Sequence, residues 1–220
     1  MIRHKRLQAL SVMLFACILG SIFSVNGQTV RSLVSHEKGF VLNSPIKETL
    51  GHRASPRQFA DTPLSEEVVS SLLWAANGIN RPESGRRTAP SALNAQDVDV
   101  YLADNQGIWL YEPKEHRLRK VVEGDHRLLV AGSQADFAKA PVFLLLVSDI
   151  SRFRMGEQAQ RMEWAALDAG MVAQNVLLFC ASEHLACRPR SWMEKDKLHK
   201  LLEMSDNQLL MLNIPVAVAP

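Results

Sequence analysis

Two guanidiniums bracket a hydroxyl early in the chain: Arg53, Ser55 and Arg57 stand at alternate positions between His52 and Phe59. A phosphate monoester carries roughly two negative charges and three acceptor oxygens. Arginine meets such a group with a planar fork, and a hydroxyl adds another donor. Taken alone, the stretch is equally a solvated charged loop. A second stretch, Arg87-Thr88-Ala89-Pro90-Ser91-Ala92-Leu93-Asn94-Ala95-Gln96, combines small residues that let a backbone approach a flat ligand with the polar groups of Ser91, Asn94 and Gln96. Alone it is a loop with a turn at Pro90. A third, Glu183 to Ser191, carries Arg188 and Arg190 after a long apolar segment. Alone it is a basic helix C-terminus, where cations suit the dipole.

Other chemistries lack their motifs. No G-x-G-x-x-G, G-x-x-x-x-G-K-[ST] or G-x-S-x-G occurs, and the seven histidines are scattered without metal-ligand spacing. Of the three cysteines, Cys17 lies near the start, and Cys180 and Cys187 belong to no C-x-x-C pair. An oxidising compartment would let those two pair, although the apolar helical setting of Cys180 suits a small core residue.

The elements that must position these groups follow from periodicity. Ser65-Glu66-Glu67 reads as a capped helix start, with acids where the dipole favours them. Val68, Val69, Leu72, Leu73 and Ala76 recur at helical spacing, and Gly78 can end the helix. Residues 79–87 read as a polar loop. Val98, Val100 and Leu102 alternate with polar neighbours, as in a half-buried strand. Strands at 108–111 and 118–122 complete a small antiparallel meander, with turns at 104–107 and 112–115. Residues 142–147 are apolar throughout, as expected of a central strand covered on both faces. A long amphipathic helix is expected over 159–184, a short one over 194–204 and a last strand over 209–218. Helices and strands mix without regular βαβ alternation, an α+β pattern.

The 220 residues, 47% hydrophobic and 22% charged, suit one globular domain. Residues 1–27 read as a secretory signal peptide: Arg3, Lys5 and Arg6 form a basic start, Leu10 to Phe23 an apolar run, and Val25-Asn26-Gly27 the cleavage region. Residues 28–50 would be an N-terminal arm and 51–220 the domain. The expected location is therefore periplasmic. Two alternatives tie the chain to a membrane, an uncleaved anchor over Leu7 to Val25 or a lipid on Cys17. Without the three basic residues at the start, 22 cations face 23 acids, which gives no electrostatic reason to seek nucleic acid.

Taken together and in order, the three stretches resemble the nitroreductase family. The resemblance rests on Arg53-x-Ser55-x-Arg57-x-Phe59, on Pro63-Leu64-Ser65-Glu66-Glu67 with the helix ending Leu72-Leu73-Trp74-Ala75-Ala76-Asn77-Gly78, and on Arg87 to Gln96. Within the family it is closest to the branch of SagB-type and thiazoline-oxidase dehydrogenases. The segment Asp168 to Glu183 is similar to the family's long central helix, and Leu212 to Val218 to its final strand.

The resemblance implies an α+β sandwich with a mixed or antiparallel sheet flanked by helices, usually an intertwined homodimer with FMN at the subunit interface. Arg53, Ser55 and Arg57 would hold the phosphate, ribityl chain and pyrimidine edge. Pro90, Ser91 and Asn94 would line the isoalloxazine, and Pro189, Arg190 and Ser191 would run near its N5. No side chain is assigned a catalytic acid–base role and no metal is expected. The implied activity is FMN-dependent electron or hydride transfer to a small unsaturated acceptor such as a nitroaromatic or quinone, with NAD(P)H as a donor. The alternatives are a SagB-type azoline dehydrogenase or oxidase and a flavin-binding protein without turnover. Family members often place a Lys or Arg after the last strand. This sequence has Val218-Ala219-Pro220 there, so Arg188 or Arg190 would have to supply that charge.

Overall fold

The computed structural model describes residues 22–25, 27–34 and 45–219. Eight strands form one sheet in which every neighbouring pair is antiparallel. In spatial order these are β1 (Ile22–Val25), β2 (Gln28–Ser32), β7 (Arg117–Glu123), β6 (Gly107–Glu112), β5 (Val98–Ala103), β8 (Val142–Asp149), β10 (Gln208–Val218) and β9 (Leu185–Cys187). The expected loop 79–87 instead holds a two-stranded hairpin, β3 (Ile79–Arg81) with β4 (Arg86–Arg87).

Helices cover both faces of the sheet, and this explains the run at 142–147. Successive side chains of a strand point to opposite faces. Leu144 and Leu146 on β8 pack towards α2 (Glu66–Asn77) and α4 (Gln158–Ser182). Phe143, Leu145 and Val147 pack towards α3 (Arg127–Ala131) and α5 (Lys195–Leu201). The second layer also corrects the reading of β5 as half-buried. Tyr101 and Ala103 are buried beside Val130, Phe137 and Phe143, and the polar Asp99 is matched by the Arg152 guanidinium at 2.9 Å. That cover comes from residues 127–139 and could not be seen in the strand itself.

α2 begins and ends as expected. The Ser65 hydroxyl accepts from Val68 N at 3.3 Å, and Gly78 N donates to Trp74 O at 2.7 Å. A side chain at Gly78 would meet Trp74 Cδ1 at 2.5 Å, so close packing selects the glycine. α4 packs on β5, β8 and β10 and against α2 and α1 (Ile46–His52). By length and composition it could cross a bilayer, yet 56% of its most apolar window is buried in this domain.

The N-terminal strands are tied to the body by polar contacts. Arg31 on β2 is buried and pairs with Glu66 and with Asp104, the latter at 3.4 Å. Ser70 on α2 donates to Val34 O at 2.6 Å. Strand β1 falls within the segment read as an export signal and pairs with β2 across Gly27. Residues 1–21 and 26 of that segment, the Cys17 alternative, and residues 35–44 of the expected arm lie outside the described residues.

Candidate active site

The first motif leaves the C-terminus of α1 as an exposed strap over the end of α4 and β9. Pro56 cannot continue a helix, and buried Phe59 anchors the strap against Phe137, their rings 5.5 Å apart. Arg53 Nη1 lies 3.5 Å from Ser55 Oγ. From the third motif, Arg188 Nη1 donates to Ser55 O at 3.1 Å. Arg53 and Arg188 thus both attend Ser55, and Arg57 stands exposed two positions further on. Beneath it opens a cavity of 320 Å³ walled by Ala54, Pro56, Leu177, Ala181, Ala186 and Ala219, with His52 and His184 at its side. No acid lines it. A cationic rim over an apolar slot of this size suits a ligand with an anionic end and a flat apolar body.

Cys187 also lines this slot, and both it and Cys180 are buried and unbridged. Burial, followed by the neighbouring Cys187 thiol, pushes the Cys180 thiol up. That keeps it protonated and unreactive.

The rest of the third motif is divided between structure and surface. Arg190 exchanges backbone hydrogen bonds with Asn213 at 2.8 and 2.7 Å. Its guanidinium is spent on Ala131 O at 2.7 Å, Gln134 Oε1 at 2.8 Å and Asn213 Oδ1 at 2.9 Å, and it stacks on Phe137. Arg190 is therefore a buried tie between β10 and the α3 layer, which leaves Arg188 as the cation beside the strap. Pro189 is half-buried, and Ser191 is exposed next to Trp192. The Trp192 ring is 62% exposed, with Nε1 held by Ser133 Oγ at 2.8 Å.

The second motif forms a rigid loop elsewhere on the surface. Leu93, Asn94 and Gln96 adopt φ of 55°, 53° and 49°, a region costly for residues with a Cβ. Several bonds hold it there. Ala92 N donates to both Asp168 oxygens at 3.0 and 2.8 Å, Gln96 N donates to Ser91 Oγ at 2.9 Å, and Arg152 Nη1 donates to Gln96 O at 2.9 Å. Gln96 is further occupied by Arg87 Nε at 3.0 Å and Gly85 O at 3.1 Å. Pro90 and Asn94 remain exposed. Among the described residues, no hydrogen bond joins residues 90–94 to residues 53–57 or 189–191.

Sequence reasoning gave no supporting role to Arg87, Arg152 and Asp168, which hold this loop, or to Asp97 beside Asp168. One signal was available. Asp168 is an acid on the apolar stripe of the long helix, beside Ala165, Ala169 and Val172, where a charge needs a partner. Burial, together with the Asp168 carboxyl beside it, drives the Asp97 carboxyl up to about 7, against the opposing pull of the Ser148 hydroxyl. A proton is thus kept in the folded chain that the unfolded chain gives up near the ordinary aspartate range. This group's stabilisation is complete below about pH 4 and is lost as pH rises through about 7.

Comparison with known proteins gives these features a context. Residues 50–217 match the Nitroreductase family. A candidate nitroreductase of Methanocaldococcus jannaschii is 24% identical over 178 residues, 77% of this chain and 89% of that protein. An FMN reductase [NAD(P)H] of Bacillus subtilis is 28% identical over 114 residues, 52% of this chain but 35% of that protein. The crystal structure of a candidate nitroreductase from Ralstonia eutropha JMP134 superposes with a TM-score of 0.79 at 29% identity, covering 92% of this chain and 95% of that one. With the family match running from the strap through the final strand, and the sheet and its helices matching in space, the chain belongs to the nitroreductase family of oxidoreductases.

Proposed function

We propose that this chain holds FMN at the strap and slot and passes electrons from NAD(P)H to a small unsaturated acceptor such as a nitroaromatic or quinone. The observation that carries the reading is the convergence of Arg53 and Arg188 on Ser55, with Arg57 two positions further along the same exposed strap, above an apolar slot without acids. The Arg53 and Arg188 guanidiniums and the Ser55 hydroxyl would hold the phosphate. The apolar walls exclude water, and the Arg57 charge favours the negative charge that reduction places on the ring's pyrimidine edge. Pro189 and Ser191 continue from Arg188 and would border the reactive edge of the ring. When bound, FMN supplies hydride and single-electron chemistry, while the protein supplies binding and orientation.

The purified chain is expected to be yellow, or to become so with micromolar FMN, and to bleach on addition of NADH or NADPH in anaerobic buffer. A colourless protein that takes up no FMN defeats the reading. If the chain is exported, as residues 1–27 suggest, its donor must reach it outside the cytoplasm. The comparative rates with NADH, NADPH and a quinol bear on that point.

The loop carrying Pro90, Ser91 and Asn94 stands apart from the strap, which fits a site completed by a second copy. The outer face of α4 fits the same arrangement. Leu167 and Met171, one turn apart, are each about half exposed on it, and Gly170 beside them meets nothing within 4 Å. Such an exposed apolar pair on a long helix is suited to a covering partner. Light scattering should return the mass of a dimer, and Leu167→Glu with Met171→Glu should return that of a monomer with weakened FMN binding. A monomeric wild-type chain that binds FMN fully rejects the shared site.

A further inference from the structure

A pair of buried acids lies under the loop that bears Ser91 and Asn94. Asp97, at the foot of β5, is fully buried. Its Oδ2 accepts from the Ser148 hydroxyl on β8. Its Oδ1 is buried with no hydrogen-bond donor, and the Asp168 carboxyl of α4 is the acid beside it. Asp168 is 5% exposed, and its two oxygens share the single donor Ala92 N.

Two ionised carboxylates side by side in an apolar interior repel each other, and neither can donate. One proton between them turns that repulsion into a hydrogen bond and satisfies the orphaned oxygen. Nearby cations are committed elsewhere. Arg152 binds Asp99 and Gln96 O, and lies 3.4 Å from Asp149. Arg87 binds Gln96 Oε1 and Asn77 O.

We propose that Asp97 and Asp168 are a positioning pair that holds one shared proton, and that this proton keeps the 91–96 loop in the form the flavin site needs. The second half rests on the FMN reading above, while the first does not. Three residues in the left-handed region cost about 1 kcal/mol or more each, so the loop depends on its ties. The Asp168 tie to Ala92 N is the one that reaches the loop from α4. When the shared proton leaves, two like charges face each other and Asp168 is driven from its place. Ala92 then loses its acceptor, and Ser91 and Asn94 lose their fixed position.

Infrared spectroscopy of the flavin-free full-length chain tests the proton directly. At neutral pH the spectrum should contain the carbonyl stretch of a buried protonated carboxylic acid, absent in Asp97→Asn. Ser148→Ala removes the donor that favours the ionised form, so its band should persist to higher pH. FMN titration by fluorescence tests the consequence. Wild-type affinity should fall about tenfold between about pH 7 and about pH 9. Asp97→Asn donates an amide N–H to Asp168 at every pH and should stay flat over that range. If Asp97→Asn does not fold, Ser148→Ala should shift the midpoint of the affinity loss upward together with the band. A wild-type spectrum without the band overturns the shared proton. A band present with Asp97→Asn retaining the wild-type pH profile overturns the link to the loop. Failure to bind FMN at any pH, with the band intact, overturns the link and the flavin reading together while leaving the shared proton standing.

Discussion

Replacing Arg53 and Arg57 together by alanine is expected to weaken FMN binding by between about a hundredfold and about ten-thousandfold. A hydrogen bond to a charged group contributes about 1.5–3 kcal/mol, and each 1.4 kcal/mol is about tenfold in affinity. Both side chains are exposed, so their loss should leave stability within about 0.5 kcal/mol. The signature is therefore a large change in affinity at an almost unchanged melting temperature, measured by titrating FMN fluorescence and by thermal unfolding. Added salt should narrow the gap between wild type and variant, because part of the lost attraction is screened. A double variant that binds FMN as firmly as the parent would show that the phosphate lies elsewhere.

The second large effect is on the fold. Trp109→Ala is expected to cost about 3–5 kcal/mol, a large share of the roughly 5–15 kcal/mol that holds a domain together. Trp109 on β6 is fully buried against the α2 and α4 face. Its Nε1 donates to Asp104 Oδ1 at 3.1 Å, and the same oxygen accepts Gln106 N at 2.8 Å and Gly107 N at 3.0 Å. Lys120 Nζ stands 4.6 Å over its ring. The indole therefore joins the core to the turn at 104–107, which itself has no slack. A Cβ at Gly107 would lie 2.2 Å from Val122 O. Trp109→Phe keeps most of the volume and loses the N–H, and should cost about 1–2 kcal/mol. Urea midpoints separate the two. A shift below about 1 kcal/mol for the alanine variant would contradict this packing.

Elements whose instructions lie inside their own residues were legible in the sequence. Ser65, Glu66 and Glu67 start α2 by local hydrogen bonding and charge, and the unbroken run at 142–147 marks a strand covered on both sides. Elements whose identity is set from a distance were not legible. Leu185–Cys187 reads as a helix end until β10 is known to lie beside it, with Val216 opposite Cys187. The reading of β5 failed because its second cover comes from far along the chain.

The candidate site divides the same way. Arg53, Ser55 and Arg57 could be picked by type and spacing. Arg188 and Arg190 could not be told apart, because what separates them is Asn213, Gln134 and Phe137, brought together only by folding. The acids at 97 and 168 are 71 positions apart and meet across a helix and a strand end, which no local pattern records.

The hairpin of β1 and β2 turns at the junction where leader removal is expected, between Gly27 and Gln28. Were a leader removed there, maturation and folding would compete for the same bond. A precursor that folded first would hold that peptide where two paired strands join, closed to a peptidase that needs extended chain. A precursor cut first would fold without its outermost strand, leaving the amides and carbonyls along one side of Gln28–Ser32 open to water or to another polypeptide. The timing of such a cut would then decide how the rim of this molecule is finished.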